Sequence, residues 1–172
     1  MALVPQIVDA VHVADGRGIA AAFALGASGA QIGTAFLGCL EATLSPLYRA
    51  QLRAATDDAT ELTRAFTGRP ARAIRNRFIT EMADSESLEF PLQMRLVGPL
   101  LQLPGDEARA EFMPVWAGQA APLMRDQPAG RLVETLVAET QRIIGPKWSA
   151  GGTGITDGSG AIIAPSNKSP AA

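Results

Sequence analysis

A glycine and a threonine interrupt an apolar run near the start of the chain. The run extends from Ala30 to Leu37 and contains Gly33 followed by Thr34. Glycine weakens a strand interior unless a ligand or another backbone must approach closely. Backbone N–H groups and a threonine hydroxyl donate hydrogen bonds to an anion without needing net charge. The pair is therefore a candidate phosphate site, although tight helix–strand packing is the commoner explanation for such a glycine taken alone.

The elements that must position this pair are predicted from hydrophobic spacing. One helix is predicted over residues 3–11 and a second over residues 17–25, with Asp15 as its N-cap and Gly26 just past its end. The run over 30–37 has the length and composition of a buried strand. We therefore expect one principal strand among helices.

The middle of the chain has mainly helical spacing, punctuated by proline and glycine. The predicted segments are a helix over 45–66, a turn at 67–70, a helix or extended segment through Phe78, loop and short helix over 84–106, a helix over 107–124 with a break at Pro114, and a helix over 129–143. From Ser149 onward small and polar residues dominate. Such a segment cannot bury enough surface to offset its ordering entropy, so we expect a disordered tail.

Composition limits the classes of protein to which the chain can belong. The 172 residues suit one domain, and 47% hydrophobic against 19% charged residues allow a packed core. A net charge of -2 argues against nucleic acid or an anionic membrane as partner. The single cysteine, Cys39, excludes an internal disulfide and a cysteine-cluster metal site. The sequence contains neither a signal peptide pattern nor ~18 uninterrupted apolar residues, so we expect a cytoplasmic protein.

Four segments together resemble the nitronate monooxygenase family, formerly called 2-nitropropane dioxygenases. The run ADGRGIAAAFALGASGAQIGTAFL is similar to the last barrel helix and final barrel strand of that family. Three further segments agree and occur in the same order: LVPQIVDAV, FTGRPARAIRNRF and PVWAGQAA. The resemblance extends from about Leu3 to Trp148.

This resemblance implies an α/β fold, the C-terminal fragment of an FMN-binding (β/α)8 TIM barrel plus a helical segment, predominantly helical as it stands. The expected segments are 1–44 from the last barrel units, 45–148 as the helical part, and 149–172 as the tail. The family holds the FMN phosphate with two glycine-containing turns, one after each of the last two strands. The second turn matches Gly33, Thr34 and the preceding Gln31; the WAGQ motif contributes Gly118 and Gln119 from the segment covering the flavin.

Two departures from the family pattern limit what the resemblance implies. A strand ending in a double glycine is expected before Ala14, but Val13 runs directly into it, so the partner phosphate turn is missing. The family's histidine base has no counterpart either, because His12 is the only histidine and stands at no matching position. No catalytic residue and no metal ligand is assigned. Since a complete barrel takes roughly 250 residues, we expect a truncated chain that cannot catalyse alone.

The function implied by the resemblance is FMN-dependent oxidation of alkyl nitronates with O2, with a small nitronate as substrate. The alternatives are a flavin-dependent enoyl-acyl-carrier-protein reductase, which shares fold and phosphate turns, and a non-catalytic remnant. Oligomeric state is left open. Cys39 is expected to be a small buried core residue. Five arginines could bind an anion, but a solvated face with acidic partners is the preferred interpretation; they are Arg64, Arg69, Arg72, Arg75 and Arg77.

Overall fold

Short strands alternate with helices along the chain, for which a computed structural model describes residues 7–9, 13–27, 29–145 and 161–163. The elements in chain order are β1 (Ile7–Asp9), α1 (Gly16–Ala24), β2 (Gly29–Gln31), a 3-10 helix (Thr34–Gly38), α2 (Pro46–Ala54), β3 (Thr60–Thr63), β4 (Ala71–Ile74), α3 (Arg77–Glu81), α4 (Leu92–Val97), a 3-10 helix (Gly98–Gln102), α5 (Asp106–Phe112), a 3-10 helix (Ala121–Leu123), α6 (Ala129–Ile144) and β5 (Ala161–Ile163). None of the described helices has the length and apolar composition that crossing a bilayer requires.

The chain divides into two compact units. Unit 1 combines Met1–Ala42 with Leu123–Ala172, and unit 2 is Thr43–Pro122. Helix α6, which the sequence groups with the helical middle of the chain, therefore belongs to the same unit as α1. The sequence division at 44/45 and 148/149 stays a prediction.

A three-stranded sheet in unit 1 has β2 at its centre. β1 pairs with it in parallel, with Ile7 opposite Gly29, and β5 pairs antiparallel, with Ile163 opposite Gly29. The helix predicted over residues 3–11 is therefore wrong at Ile7–Asp9. β-branched residues such as Ile7 and Val8 favour a strand, and the edge of β2 offers a partner for it. Disorder of the tail is wrong at residues 161–163, and the remaining tail lies outside the described residues.

The strand predicted over residues 30–37 is correct only at its start. β2 ends at Gln31, and the chain turns into a 3-10 helix from Thr34, where Phe36 N–H donates to Gly33 O at 3.0 Å. The apolar residues after Gly33 face the interior from a helix, so apolar content alone did not distinguish the two conformations. The expectation of one principal strand is also wrong, since the described residues form five short strands in two sheets.

Helix α1 begins and ends within one residue of the bounds predicted over 17–25. Asp15 is the N-cap, and its carboxylate accepts hydrogen bonds from the amides of Arg17 and Gly18. Beyond the helix end Gly26 has φ of 91°, a left-handed conformation that side chains disfavour. The inner face of the helix buries Ile19 and Phe23.

Helix α6 packs on α1 through a stripe with helical spacing. Leu132, Leu136 and Thr140 stand at i, i+4 and i+8, and the two leucines are fully buried. Burial of each leucine stabilises the fold by about 1.5–3 kcal/mol. The buried Thr140 hydroxyl donates to Leu136 O at 2.7 Å, which satisfies its donor inside the core. The helix predicted over 129–143 is confirmed.

The chain segments that flank unit 2 in sequence lie side by side within unit 1. We call residues 38–41 and 125–129 the neck. Leu40 N–H donates to Gln127 O at 3.3 Å, and both carboxylate oxygens of Glu41 accept from Ala129 N–H at 3.0 Å. Glu41 thereby satisfies an amide at the start of α6.

Unit 2 contains the β3–β4 hairpin, which corrects the helix predicted over 45–66. Helix α2 ends at Ala54, and Thr60 then pairs with Ile74 in an antiparallel ladder. The Thr56 hydroxyl donates to the Asp58 carboxylate at 2.6 Å, and such local bonds compete with helix continuation. The segment through Phe78, left open between helix and extended chain, forms β4 and then α3.

Aromatic side chains fill the core of unit 2 beneath this hairpin. Phe66 lies 5.0 Å from Phe78 and 5.6 Å from Trp116 between ring centroids. α5 ends at Phe112, so the helix predicted over 107–124 is right up to that residue and in its break at Pro114. Beyond the proline the chain is helical again only in the 3-10 turn Ala121–Leu123. The short helical content expected over 84–106 is confirmed by α4 and the 3-10 turn after it.

Replacing Leu136 by alanine is expected to destabilise unit 1 by about 2–5 kcal/mol, because its fully buried side chain leaves a cavity between α6 and α1. Ile143→Ala on the same helix is the matched control; this side chain is exposed, so its loss should cost less than about 1 kcal/mol. Thermal unfolding followed by circular dichroism measures both. Equal losses would contradict the packing described for α6.

Candidate functional site

The candidate phosphate pair lies at the carboxyl end of the central strand of unit 1. Ala30 and Ile32 are buried and fix the strand end in the core, while Gln31 between them is exposed. Gly33 follows, exposed, and Thr34 begins the 3-10 helix half-buried. Three of the five candidate binding residues therefore lie together at the carboxyl end of β2.

Nothing inside the described chain requires glycine at position 33. Its φ of -108° is open to every residue, and a Cβ built there has no atom within 4 Å. Among the described residues, its amide N–H has no hydrogen-bond acceptor. Packing, the commoner explanation for such a glycine, therefore does not account for Gly33. An exposed residue with open space beside its Cα fits an anion that approaches the backbone closely.

Packing does account for two other glycines of unit 1. A Cβ at Gly16 would lie 2.3 Å from the Glu139 Cβ and 2.6 Å from the Thr140 amide nitrogen. A Cβ at Gly38 would lie 2.8 Å from Arg125 O in the neck. These positions contrast with Gly33 and show what a packing glycine looks like in this fold.

The amino end of α1 is occupied by carboxylates of the chain itself. Glu139 Oε2 accepts from Gly16 N–H at 3.0 Å, while its Oε1 lies 2.8 Å from an Arg125 guanidinium nitrogen. Asp15 Oδ1 accepts from Arg17 N–H at 3.0 Å and from Gly18 N–H at 3.1 Å. The first-turn donors are thus satisfied, so this helix end has no free amide to offer a phosphate.

Asp15 is nearly buried and still titrates below its ordinary range. Burial raises the pKa of its carboxyl, but the hydrogen bond and charge of Arg17 and the amide of Gly18 together outweigh burial. The pKa therefore lies below the ordinary value of 3.8. Sequence spacing identified Asp15 as the cap, whereas Glu139 was missed because its partner is 123 residues away and no local pattern links them.

The WAGQ motif lies in unit 2, where hydrogen bonds from two elements, β4 and α2, hold it and the preceding residue. Ile74 N–H donates to Val115 O at 2.9 Å, and Ala117 N–H donates to Arg72 O at 3.3 Å. The Tyr48 hydroxyl donates to Trp116 O at 3.0 Å, and burial raises the pKa of this phenol. The motif therefore runs beside β4 as an extended segment.

Gly118 and Gln119 follow this fixed segment. Gly118 is buried, and Gln119 is half-buried. Both belong to unit 2, whereas Gln31, Gly33 and Thr34 belong to unit 1. Tyr48 is a positioning side chain that sequence reasoning missed, since a lone tyrosine in a helix carries no motif.

The remaining chemically notable residues have structural environments. Cys39 is buried, as expected, and His12 lies outside the described residues. Acidic partners were expected for the arginine group, and two are found: Arg75 contacts Glu61 at 2.8 Å and Arg77 contacts Glu81 at 2.7 Å.

The other three arginines make different contacts. Arg64 donates to Gly68 O, Arg72 donates to Thr60 O, and Arg69 lies over the Phe90 ring at 4.3 Å. The arginine group therefore does not form a single anion site in the described part of unit 2.

Known proteins resemble the chain over most of its length. Residues 1–139 match the family described as nitronate monooxygenase. A probable nitronate monooxygenase of Staphylococcus saprophyticus is 35% identical over 154 residues, which is 84% of this chain and 43% of the relative. One from Staphylococcus aureus strain Newman is 34% identical with the same coverage. The chain thus spans less than half the length of these curated relatives.

Solved structures give the same result at the level of fold. A nitroalkane oxidase from Streptomyces ansochromogenes superposes with a TM-score of 0.69 at 41% identity, covering 76% of this chain and 38% of that protein. FabK from Thermotoga maritima superposes with a TM-score of 0.61 at 33% identity, covering 77% of this chain and 43% of that protein.

Alanine at two glycines should separate packing from ligand approach. Gly16→Ala is expected to lower stability by about 1–3 kcal/mol, because its Cβ would collide with α6. Gly33→Ala should leave stability unchanged or raise it by up to about 1 kcal/mol, since its conformation is unstrained and its surroundings are open. Thermal unfolding of the two variants tests this, and a large loss at position 33 would restore the packing explanation.

Asp15→Asn should remove a pH-dependent part of the stability. Because the pKa of Asp15 is depressed in the folded chain, its stabilisation is present above 3.8 and is lost as pH falls through the folded pKa. Asparagine retains the cap acceptor but not the charge, so the variant should be about 0.3–1 kcal/mol less stable at neutral pH. Urea unfolding monitored by far-ultraviolet circular dichroism, from neutral pH into the acid range, measures the difference, which should shrink as the pH falls below 3.8 and vanish below the folded pKa.

The matched control is Asp57→Asn, at an exposed aspartate of unit 2. Its effect should be small at both pH values. A neutral-pH loss for Asp15→Asn that persists undiminished in acid would show that the carboxylate charge is not the source.

Proposed function

Because the chain belongs to the nitronate monooxygenase family, we propose that it serves FMN-dependent oxidation of alkyl nitronates with O2, and that Gly33 and Thr34 hold the flavin phosphate. The observation that carries the proposal is Gly33 itself, an exposed glycine that neither backbone strain nor packing explains. Its position at the carboxyl end of a buried strand is where (β/α)8 barrels receive phosphate groups.

The residues present fit a phosphate by their donor chemistry. Gly33 is exposed, and the absence of a side chain leaves space for an anion to reach the backbone. The Thr34 hydroxyl is one residue further, and the exposed Gln31 amide is two residues before Gly33. Neutral donors of this kind bind a phosphate through directed hydrogen bonds rather than net charge. They suit a protein whose overall charge is slightly negative.

By the family resemblance, we also propose Gly118 and Gln119 of unit 2 as cofactor contacts. The Tyr48 and Arg72 hydrogen bonds hold the preceding residues of the motif, so the half-buried Gln119 side chain extends from a fixed backbone. We propose that this amide and the small Gly118 face the flavin. When bound, FMN supplies the electron chemistry, and the side chains of this chain bind and orient it.

These 172 residues are proposed to contribute cofactor binding and no proton-removing base. His12 is the only histidine, and it matches no position of the family motifs. Proton removal from the substrate carbon needs a side chain within hydrogen-bonding reach of that proton. The chain spans 43% of its curated relatives, so the activity of a full-length member is not assigned to these residues alone.

A second candidate, a flavin-dependent enoyl-acyl-carrier-protein reductase, is favoured by the likeness to FabK at 33% identity. The higher identity to the nitroalkane oxidase, 41%, supports the nitronate reaction instead. The third candidate, a non-catalytic remnant, predicts neither reaction. Oxygen uptake with a primary nitronate and reduction of an enoyl thioester, measured on the same preparation with FMN, distinguish the three.

The purified 172-residue chain is expected to bind FMN weakly and to show no nitronate oxidation, because one phosphate turn and the base are not among its residues. Binding should nevertheless be tighter for FMN than for riboflavin, which lacks the phosphate. Gly33→Val should remove that preference by filling the approach to the backbone, and should leave riboflavin binding unchanged. Flavin fluorescence quenching measures the affinities, and oxygen uptake measures turnover.

Leu25→Val, an exposed position of the same unit, is the control and should retain the FMN preference. Equal affinity of the parent chain for FMN and riboflavin would contradict the phosphate assignment. Turnover that disappears in His12→Ala would contradict the assignment of no base to this chain.

A further inference from the structure

Large apolar side chains are concentrated on one exposed stretch of unit 2. Of the eleven exposed large apolar side chains among the described residues, six fall between residues 88 and 101. They are Leu88, Phe90, Leu92, Met94, Leu96 and Leu101. Single exposed leucines are ordinary in proteins, whereas a contiguous group marks a contact surface.

Helix α4 divides its residues between the core and this surface. Gln93 and Val97 face inward and are buried, and Gln93 is held by hydrogen bonds to Ala65 O at 2.5 Å and from Leu88 N–H at 3.0 Å. One turn apart on the outer face, Leu92 is 54% exposed and Leu96 is 64% exposed. The inner contacts fix the helix, so the outward leucines form a ridge that the fold itself leaves uncovered.

Charges of opposite sign lie at the two ends of this ridge. Glu86 and Glu89 precede the helix, and Arg95 lies in its last turn; all three side chains are exposed. None of them forms an ion pair with another described residue. A short apolar ridge with one acidic and one basic end is complementary in charge to a second copy of itself in the antiparallel orientation.

We propose that this α4 surface, defined as Leu88, Phe90, Leu92 and Leu96 with Glu89 and Arg95, binds a second copy of this chain. The two α4 helices pack antiparallel about a two-fold axis, with leucine against leucine at the centre. Arg95 of each copy then lies opposite Glu89 of the other, so the same ion pair forms twice across the interface. A two-fold interface requires one self-complementary patch of this kind.

Other kinds of binding partner match the charges and apolar side chains of the α4 surface less well. A partner of a single charge sign would pair one end of the ridge and repel the other. A purely apolar occupant would bury Glu89 and Arg95 without partners, which is costly. Arg69 already lies over the Phe90 ring, so the leucines remain the uncovered part of the patch.

The test is the oligomeric state of the 172-residue chain, measured by sedimentation velocity over a range of concentrations. The parent chain is expected to dimerise. Leu92→Gln with Leu96→Gln should weaken the dimer by at least about tenfold, since the buried apolar area is lost without adding charge. The matched control, Leu25→Gln with Leu40→Gln, removes two exposed leucines of unit 1 and should leave the dimer intact.

A charge exchange tests the antiparallel arrangement separately. Arg95→Glu should weaken association, because it places two glutamates opposite each other, and adding Glu89→Arg should restore it. Circular dichroism and thermal unfolding establish that each variant is folded. A parent chain that stays monomeric at every concentration overturns the proposal, as does a dimer that the leucine pair does not affect. A dimer weakened by the leucine pair but not rescued by the charge exchange overturns the antiparallel arrangement.

Discussion

The close approach of α1 and α6 depends on the absence of a side chain at Gly16. Because Gly16 has only a hydrogen there, the backbone and Cβ of Glu139 approach so closely that a Cβ at residue 16 would collide with them. The Glu139 carboxylate then accepts from the Gly16 amide and pairs with Arg125, so one side chain completes a helix end and joins it to the neck. Leu132 and Leu136 bury the rest of that contact, and α1 in turn packs beside β2. A contact between residues 123 apart in sequence thus joins α6 to the helix that packs on the central strand.

Local patterns predicted the parts of the fold that local interactions decide. The N-cap at Asp15, the glycine after α1 and the helix over 129–143 each depend on residues within a few positions of one another, and each prediction is confirmed. Pairing between distant strands was not visible in such patterns. Ile7–Asp9 has helical spacing but pairs with Gly29–Gln31, and the hairpin at 60–74 begins inside the segment predicted as a helix over 45–66.

The candidate site shows the same division between local and distant information. Gly33 and Thr34 were identifiable from composition and family resemblance, but composition could not say whether the glycine served packing or a ligand. Only the surroundings of its missing Cβ separate it from Gly16 and Gly38. The hydrogen bond by which the Tyr48 hydroxyl holds the WAGQ segment could not be predicted from the sequence either, because donor and acceptor are 68 residues apart.

The neck makes the eighty residues of unit 2 a large insertion in the topology of unit 1. Leu40 and Gln127 are hydrogen-bonded neighbours, so a short link between them would close the chain of unit 1 without moving either residue. The entropic cost of closing a loop rises slowly with its length. A long and a short connection between the two halves of the neck therefore cost almost the same free energy to close. Unit 2 could therefore be lengthened, shortened or exchanged during evolution while α1, β2 and α6 keep their places. Diversity among relatives of this chain should therefore concentrate between the two halves of the neck.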